Sequence, residues 1–183
     1  MPVTNKDPVW SLRPWPVEID MGSQTFTVPA VPAIEWLKFL LEPEPDMIGL
    51  VNELMPDLEE FFYDNEILLT DFYGKVLEVI GTASARSWWI ALRVICTARD
   101  NWHIVGPNLM IYGIDANVVS LSAWLDIALF ILIENIDPKN VTMFTSQLEI
   151  PPPDNVLDVT STEAPAAIES MTMDHRAFMA MAR

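Results

Sequence analysis

The sequence predicts a mainly α protein in which an N-terminal β-hairpin packs on a helical bundle and a disordered C-terminal tail follows. Three features predict this fold. Hydrophobic spacing changes from every second to every third or fourth position near residues 29–32, helical spacing then continues to Glu149, and a polar, Pro- and Met-rich composition follows. We therefore divide the chain into a flexible N-terminus (1–14), a helical domain with its hairpin (15–150) and a flexible tail (151–183).

The hairpin is predicted from two runs in which apolar and polar residues alternate. Trp15–Met21 and Gln24–Val28 lie on either side of a Gly-Ser pair, which is typical of a β-hairpin. An isolated hairpin is only marginally stable in water, so we expect its apolar face to pack on the helices. Pro29 and Pro32 then stop strand pairing.

Seven segments after the hairpin have the spacing or the end signals of helices. In order, they are a helix that begins at Pro32 or Ala33, Met47–Met55 capped by Asp46, a helix that begins at Pro56, Ile67–Ile80 ended by Gly81, a helix from Ser84 or Ser87 to about Asp100, Leu121–Asn135 capped by Ser120, and a last helix from Asp137-Pro138 to Glu149.

Two of the later segments are unusual. The helix that contains Trp88 and Trp89 is apolar nearly all round, so we expect it at the centre of the bundle. We interpret Asn101–Val119 as less regular, because Gly106-Pro107 and Gly113 interrupt the helical pattern.

The net charge limits which partners the protein can bind, and the single cysteine indicates its cellular compartment. A formal charge of -16 repels nucleic-acid phosphates and anionic lipids, so we expect neither nucleic acid nor a membrane as a partner. The most apolar run, Leu121–Ile133, contains Asp126 and is shorter than the roughly 20 residues that span a bilayer. A single cysteine, Cys96, fits a reducing compartment, and the polar first residues do not resemble a signal peptide. These features predict a cytoplasmic protein.

No motif for catalysis, cofactor binding or metal binding is present, so we expect a non-enzyme without a cofactor. The sequence lacks GxGxxG, Walker, GxSxG and HExxH motifs. One cysteine and the separated His103 and His175 do not make a zinc site. The acidic clusters at residues 42–46 and 57–66 lack the EF-hand pattern and are interpreted as solvated surfaces. Carboxylates paired for hydrolysis stay open as an alternative, since sequence does not show which carboxylates are close in space.

An excess of apolar residues favours a protein-binding function. The mean hydropathy of +0.24 indicates that some apolar surface meets a partner or another copy of the chain. Met and aromatic side chains fill cores, but they also make adaptable binding surfaces. The candidate binding residues flank the breaks between the early helices, and the competing interpretation buries all of them; they are Trp36, Phe39, Phe61, Phe62 and Tyr63.

One part of the sequence resembles a known family. Trp15-Pro-Val-Glu-Ile19, a Gly turn, and Phe26-Thr-Val-Pro-Ala-Val-Pro-Ala-Ile-Glu-Trp-Leu37 together resemble the opening of tail assembly chaperones from long-tailed (siphovirus-like) phages of actinobacteria. The resemblance is sharp from Trp15 to Leu41 and is one of general character from there to Glu149. This is a packing and turn motif, and it contains no catalytic residues.

The resemblance implies a chaperone that binds and solubilises the tape-measure protein, the very long helical chain that sets tail length. Such chaperones act in the host cytoplasm until tail-tube subunits replace them, and they are absent from the mature virion. Many are made in two forms, the longer one by a ribosomal frameshift. The expected partners are therefore the tape-measure protein, a longer frameshift form, and a second copy of this chain as a homo-oligomer.

Two other classes of function stay open. A structural virion protein, such as a connector or minor tail subunit, would persist in the finished particle. An acidic decoy would mimic nucleic acid and inhibit a host DNA-binding protein. A decoy spreads carboxylates over a long face, whereas here the acidic residues form separate clusters between apolar runs.

Overall fold

The computed structural model describes residues 17–21, 24–28, 30–42, 45–65 and 68–152. Within these residues the protein is mainly helical, with one β-hairpin, as predicted. The predicted flexible N-terminus and the predicted tail from residue 153 onward lie outside the described residues.

The described residues form two strands followed by eight helices. The elements are β1 (Val17–Met21), β2 (Gln24–Val28), α1 (Ala33–Leu40), α2 (Met47–Leu54), α3 (Pro56–Asp64), α4 (Leu69–Ser84), α5 (Trp88–Asp100), α6 (Trp102–Ile111), α7 (Leu121–Glu134) and α8 (Val141–Glu149).

The hairpin packs on the helices, as the alternating pattern predicts. β1 and β2 pair antiparallel, with Ile19 opposite Phe26. β1 lies against α4, and the ring of Phe26 meets Phe61 of α3 edge-on, with ring centroids 5.1 Å apart. These contacts bury apolar surface that an isolated hairpin would leave in water.

The prediction that α5 is central is confirmed. α5 packs against α4, α6, α7 and α8, and its side chains are buried from Ala91 to Ala98 except at Arg93. α7 packs on α1, α4, α5 and α6, and buries Trp124 and Leu125. In the part of the chain that the structure describes, no helix is both long and apolar enough to cross a membrane.

The predicted helix starts depend on local chemistry, and those at Asp46, Pro56 and Ser120 are among the ones confirmed. The carboxylate of Asp46 accepts a hydrogen bond from the Gly49 amide at 2.8 Å, and the hydroxyl of Ser120 accepts one from the Ala123 amide at 3.2 Å. Each satisfies an amide that the first helical turn leaves without an intrahelical partner. Pro56 occupies the first turn of α3, where its missing N–H costs nothing.

The predicted end of α4 at Gly81 is wrong. The helix continues to Ser84 and ends where Ala85 adopts a left-handed conformation with φ of 54°. Gly81 is needed for a different reason, because a Cβ at this position would lie only 3.2 Å from the carbonyl oxygen of Arg86. The Arg86 amide donates to the Gly81 carbonyl at 3.1 Å, so the glycine lets the chain turn back tightly over the helix end.

The prediction of irregular structure over Asn101–Val119 is wrong for its first half. Trp102–Ile111 form α6, with Pro107 inside the helix. Proline removes one helical hydrogen bond, but it does so on the exposed side of the helix, where water can bond to the freed carbonyl. The burial of Val105 and Leu109 against the bundle stabilises the helix. Gly113 lies just after the end of α6 and has a left-handed φ of 67°, so this glycine does interrupt the helical pattern as predicted.

The predicted start of the last helix at Pro138 is also wrong. α8 begins at Val141 and ends at Glu149. Asp137 closes a separate turn, since its carboxylate accepts from the Lys139 amide at 3.0 Å and its carbonyl accepts from the Asn140 amide at 2.7 Å. The aspartate therefore caps this turn, and the helix starts after it.

Candidate protein-binding surface

Four of the five aromatic residues predicted to bind a partner have side chains that the structure describes, and two of these four lie in the core. Trp36 and Phe62 are core residues, with 3% and 7% of their surface exposed, and Phe39 and Phe61 are half-buried. The side chain of Tyr63 lies outside the described part of the structure. A partner would reach Trp36 or Phe62 only if the core opened.

Phe39 and Phe61 connect elements of the fold. The ring of Phe39 lies against α2, where a Cβ on Gly49 would be 3.1 Å from its Cε1 atom. The ring of Phe61 lies between Phe26 of the hairpin and Phe62, with centroids 5.1 Å and 6.4 Å away. Phe62 continues to Phe72 of α4 at 4.8 Å. These contacts assign a packing role to both half-buried residues, and their contact with a partner stays a prediction.

The structure instead exposes a contiguous apolar surface on α6. We call it the α6 face, and it consists of Trp102, His103, Pro107, Met110 and Ile111. Met110 and Ile111 are 81% and 76% exposed, and Trp102 is 48% exposed. Positions separated by four and eight residues lie on the same side of a helix. The two rows 102, 106, 110 and 103, 107, 111 therefore form one continuous strip.

The inner side of α6 is apolar as well. Val105 and Leu109 are buried against the bundle, so the helix carries hydrophobic residues on both its inner and outer sides. A helix that is hydrophobic all round is normally covered on all sides. Over residues 101–114 the sequence contains no Asp, Glu, Lys or Arg, although the chain as a whole carries a charge of -16.

Two half-exposed aromatic rings extend the α6 face onto α7. Tyr112 meets Phe130 edge-on, with ring centroids 6.1 Å apart. The hydroxyl of Tyr112 donates to the carboxylate of Glu134 at 3.1 Å. This hydrogen bond is the main reason that the pKa of Tyr112 is raised above its ordinary value, and it keeps the phenol in its neutral form. The apolar surface therefore ends at a carboxylate.

Carboxylates also border the loop that follows α6. Asp115 accepts hydrogen bonds from the amide and the side chain of Asn117, at 2.9 Å and 2.7 Å, and these bonds lower the pKa of Asp115. On α7, Asp126 lies one turn before Phe130 and pairs with Arg86. The α6 face is thus an uncharged apolar strip whose borders are acidic at Asp115 and Glu134.

This arrangement offers an exposed apolar surface that another apolar surface could cover. Among the described residues, no three of the His, Cys, Asp and Glu side chains come together in a way that could hold a metal ion. His103 is the one titratable side chain of the α6 face. Met side chains adapt to differently shaped apolar partners, and a large exposed apolar patch typically marks an interaction site.

Sequence reasoning missed the α6 face because the Gly-Pro pair indicated an irregular segment. A second signal in the same segment could have found it. Residues 101–114 lack formal charge while they contain Trp102, Met110 and Ile111. In a strongly acidic chain, an uncharged segment with bulky apolar residues belongs to the core or to an interface.

Comparison of the chain with protein-family models, with curated proteins and with solved structures found no match.

Proposed function

We propose that this protein binds apolar helical segments of a larger protein and keeps them in solution. In the form that the N-terminal resemblance implies, it is a tail assembly chaperone whose client is the tape-measure protein. It acts in the host cytoplasm and leaves before the virion is complete. The observation that carries the proposal is the α6 face, an uncharged apolar strip on a regular helix, exposed to solvent.

The chemistry of the α6 face favours an apolar helix as the client. An amphipathic helix presents side chains at i, i+3, i+4 and i+7, and the α6 face presents an apolar strip about two turns long. Neither Met110 nor Ile111 carries a polar group that would lose its water on binding. Covering each of these side chains would contribute up to about 1.5–3 kcal/mol.

The acidic borders define the client further. Asp115 and Glu134 flank the apolar strip, and the whole chain is negative. A client helix whose apolar stripe is bordered by Lys and Arg would be attracted over a long range and oriented on arrival. The charge of the chaperone would also keep the complex in solution.

The test is co-expression with the tape-measure protein from the same genome. A face variant, Met110→Asp/Ile111→Asp, places two charges in the apolar strip. Leu68→Asp is the matched control, because Leu68 is 69% exposed and lies outside the α6 face, at the N-terminus of α4. We expect the wild-type chain and the control to keep the tape-measure protein in the soluble fraction, and the face variant to lose this activity.

Two outcomes would contradict the proposal. If the tape-measure protein is equally soluble with and without this chain, and no complex survives purification, the chaperone function fails. If purified virions contain the protein in stoichiometric amounts, a structural subunit replaces the chaperone as the better description.

A further inference from the structure

Trp102 and Gly106 form a flat aromatic surface at one end of the α6 face, which we call the indole platform. A Cβ added to Gly106 would lie 3.0 Å from Nε1 of Trp102, 3.1 Å from its Cε2 and 3.5 Å from its Cδ1. A contact at the ring edge would leave the two carbons much farther away than the nitrogen, so the glycine lies under the face of the indole. Trp102 is 48% exposed, and its other face is therefore open to solvent.

Pro107 leaves a backbone carbonyl free beside the indole platform. In an α-helix the carbonyl of each residue accepts from the amide four residues later. Pro107 has no amide hydrogen, so the carbonyl of His103 has no such donor within α6. This carbonyl points towards Pro107, next to Gly106, which has no side chain to cover it. The α6 face thus presents an aromatic ring face and a hydrogen-bond acceptor side by side.

We infer that the indole platform and the His103 carbonyl bind the guanidinium group of an arginine in the client helix. The inference rests on the proposed function, because it names the side chain by which the α6 face recognises that client. A cation is attracted to the face of an aromatic ring, most strongly to that of tryptophan. A guanidinium is planar, so it lies on the indole while an N–H at its edge donates to the carbonyl. A lysine ammonium lacks this plane, and a neutral side chain lacks the charge.

The backbone at the start of α6 does not oppose a positive charge there. A free helix N-terminus carries a partial positive charge, but α5 leads directly into α6. The carbonyl of Asn101 accepts from the amides of Ile104 and Val105, at 2.8 Å and 3.0 Å, and the negative end of the α5 dipole adjoins them. The charged side chains that precede the helix, Arg99 and Asp100, pair with each other, with Nε and Oδ1 2.9 Å apart. The net charge of -16 attracts a cation from a distance.

The indole platform and the aliphatic end of the α6 face are about two helical turns apart. At a rise of 1.5 Å per residue, Trp102 and Met110 are separated by about 12 Å along α6. A client helix that lies along α6 and covers Met110 and Ile111 with apolar side chains brings a residue about seven positions away to Trp102. The client pattern is therefore an apolar cluster with an arginine about seven positions before or after it, according to the direction of the client.

Matched synthetic helical peptides, labelled for fluorescence anisotropy, test the inference with the full chain. Each peptide has leucines at i, i+3 and i+4 and, seven residues away, either arginine or citrulline, which is planar and similar in shape but uncharged. One pair carries this residue after the leucines and a second pair carries it before them. At about 0.15 M salt, we expect arginine to tighten binding at least about fivefold over citrulline in one of the two pairs. Lysine at the same position should give a smaller gain.

Variants of the chain separate the proposed contact from the general attraction between an acidic protein and a basic peptide. Trp102→Leu removes the aromatic face but keeps an apolar side chain, and Pro107→Ala supplies the amide that bonds to the His103 carbonyl. Neither change alters the net charge. We expect the preference for arginine to be at least about threefold smaller in Trp102→Leu and to be reduced in Pro107→Ala.

Gly74→Ala is the matched control for Pro107→Ala. It also favours the helical conformation, and a Cβ at Gly74 in α4 would have no atom within 4 Å. This control should keep the full preference for arginine. Circular dichroism would show that each variant is folded. An unchanged preference in Pro107→Ala would overturn the role of the carbonyl.

Two results would overturn the inference as a whole: equal binding of the arginine and citrulline peptides by the wild-type chain, or a preference that the folded Trp102→Leu variant keeps in full. Both leave the proposed function standing, because the leucine stripe still binds. If none of the peptides binds the wild-type chain, the proposed function is contradicted and the inference fails with it.

Discussion

Tyr112 at the end of α6 packs edge-on against Phe130 of α7, with ring centroids 6.1 Å apart and an angle of 65° between the ring planes. Both side chains are about half exposed. Aromatic pairs of this geometry contribute about 0.5–1.5 kcal/mol beyond the burial of their surface. The contact holds two aromatic surfaces in a fixed position at the border of the α6 face.

The first prediction compares what a half-exposed ring and a buried ring contribute to stability. Phe130→Ala removes a half-exposed ring and should lower the free energy of unfolding by about 1–3 kcal/mol, because the edge-on pair contributes in addition to the burial of half the ring. Phe144→Ala removes a ring that is only 2% exposed, and it should cost about 3–5 kcal/mol. Urea denaturation gives both values. Equal losses would show that Phe130 belongs to the core.

A second prediction concerns the hydrogen bond between Tyr112 and Glu134. Glu134→Gln puts a neutral amide in place of the carboxylate whose hydrogen bond is the main reason that the pKa of the phenol is raised, so this pKa should fall towards its ordinary value. Absorbance titration of the phenolate, with Tyr112→Phe as the reference, measures the shift. An unchanged pKa would show that Glu134 does not accept this bond.

The contribution of the Tyr112–Glu134 hydrogen bond to stability depends on pH. A raised pKa means that the folded state favours the neutral phenol. Its contribution to stability is therefore fully present below the unfolded pKa of about 10 and is lost as pH rises through the folded pKa. The stability difference between the wild-type chain and Glu134→Gln should be constant near neutral pH and should shrink in alkaline solution.

The features that the sequence predicted correctly depend on neighbours in the chain. Asp46 and Ser120 cap their helices through amides three residues away, and alternation alone defines β1 and β2. The prediction of a break at Gly106-Pro107 was wrong because burial of Val105 outweighs the local effect of proline. Such burial depends on α5 and α7, which local spacing does not reveal.

The candidate site was harder to predict for a related reason. Trp36 and Met110 both have large, mainly apolar side chains, and only the packing of the helices decides which of them becomes buried. The structure places Trp36 inside and Met110 outside. The conformation at Gly81 was also misjudged, since a glycine near a helix end can serve either a left-handed turn or a close approach.

A third prediction follows from the end of α4. Ala85 adopts a left-handed conformation, φ 54°, which costs a residue with a Cβ about 1 kcal/mol relative to glycine. Ala85→Gly should therefore raise the free energy of unfolding by about 0.5–1 kcal/mol. Ala83→Gly, within the same helix, is the control and should lower it by about the same amount. Destabilisation by both changes would contradict the left-handed helix end.

Arg93 gives a fourth prediction. Its Nη1 donates to the carbonyls of Gln147, Leu148 and Ile150, at 2.8, 3.0 and 2.5 Å, and so holds the C-terminal end of α8 on α5. Arg93→Met should cost about 1.5–3 kcal/mol, the usual range for hydrogen bonds to a charged group.

Hydrogen exchange shows which helices lose stability when Arg93 is replaced. In Arg93→Met, amides of α8 should exchange faster while those of α7 keep their protection. Lys139→Met, at an exposed position before α8, is the control and should leave both helices unchanged. Equal acceleration in α7 and α8 would show that Arg93 stabilises the whole bundle.

The central claim is that the α6 face binds an apolar helix. Calorimetric titration of a helical fragment of the tape-measure protein into the purified chain tests it most directly. We expect a negative heat-capacity change for the wild-type chain, affinity within twofold of wild type for Leu68→Asp, and an affinity at least about 100-fold lower for Met110→Asp/Ile111→Asp. Equal affinity of the folded face variant and the wild-type chain would contradict the claim.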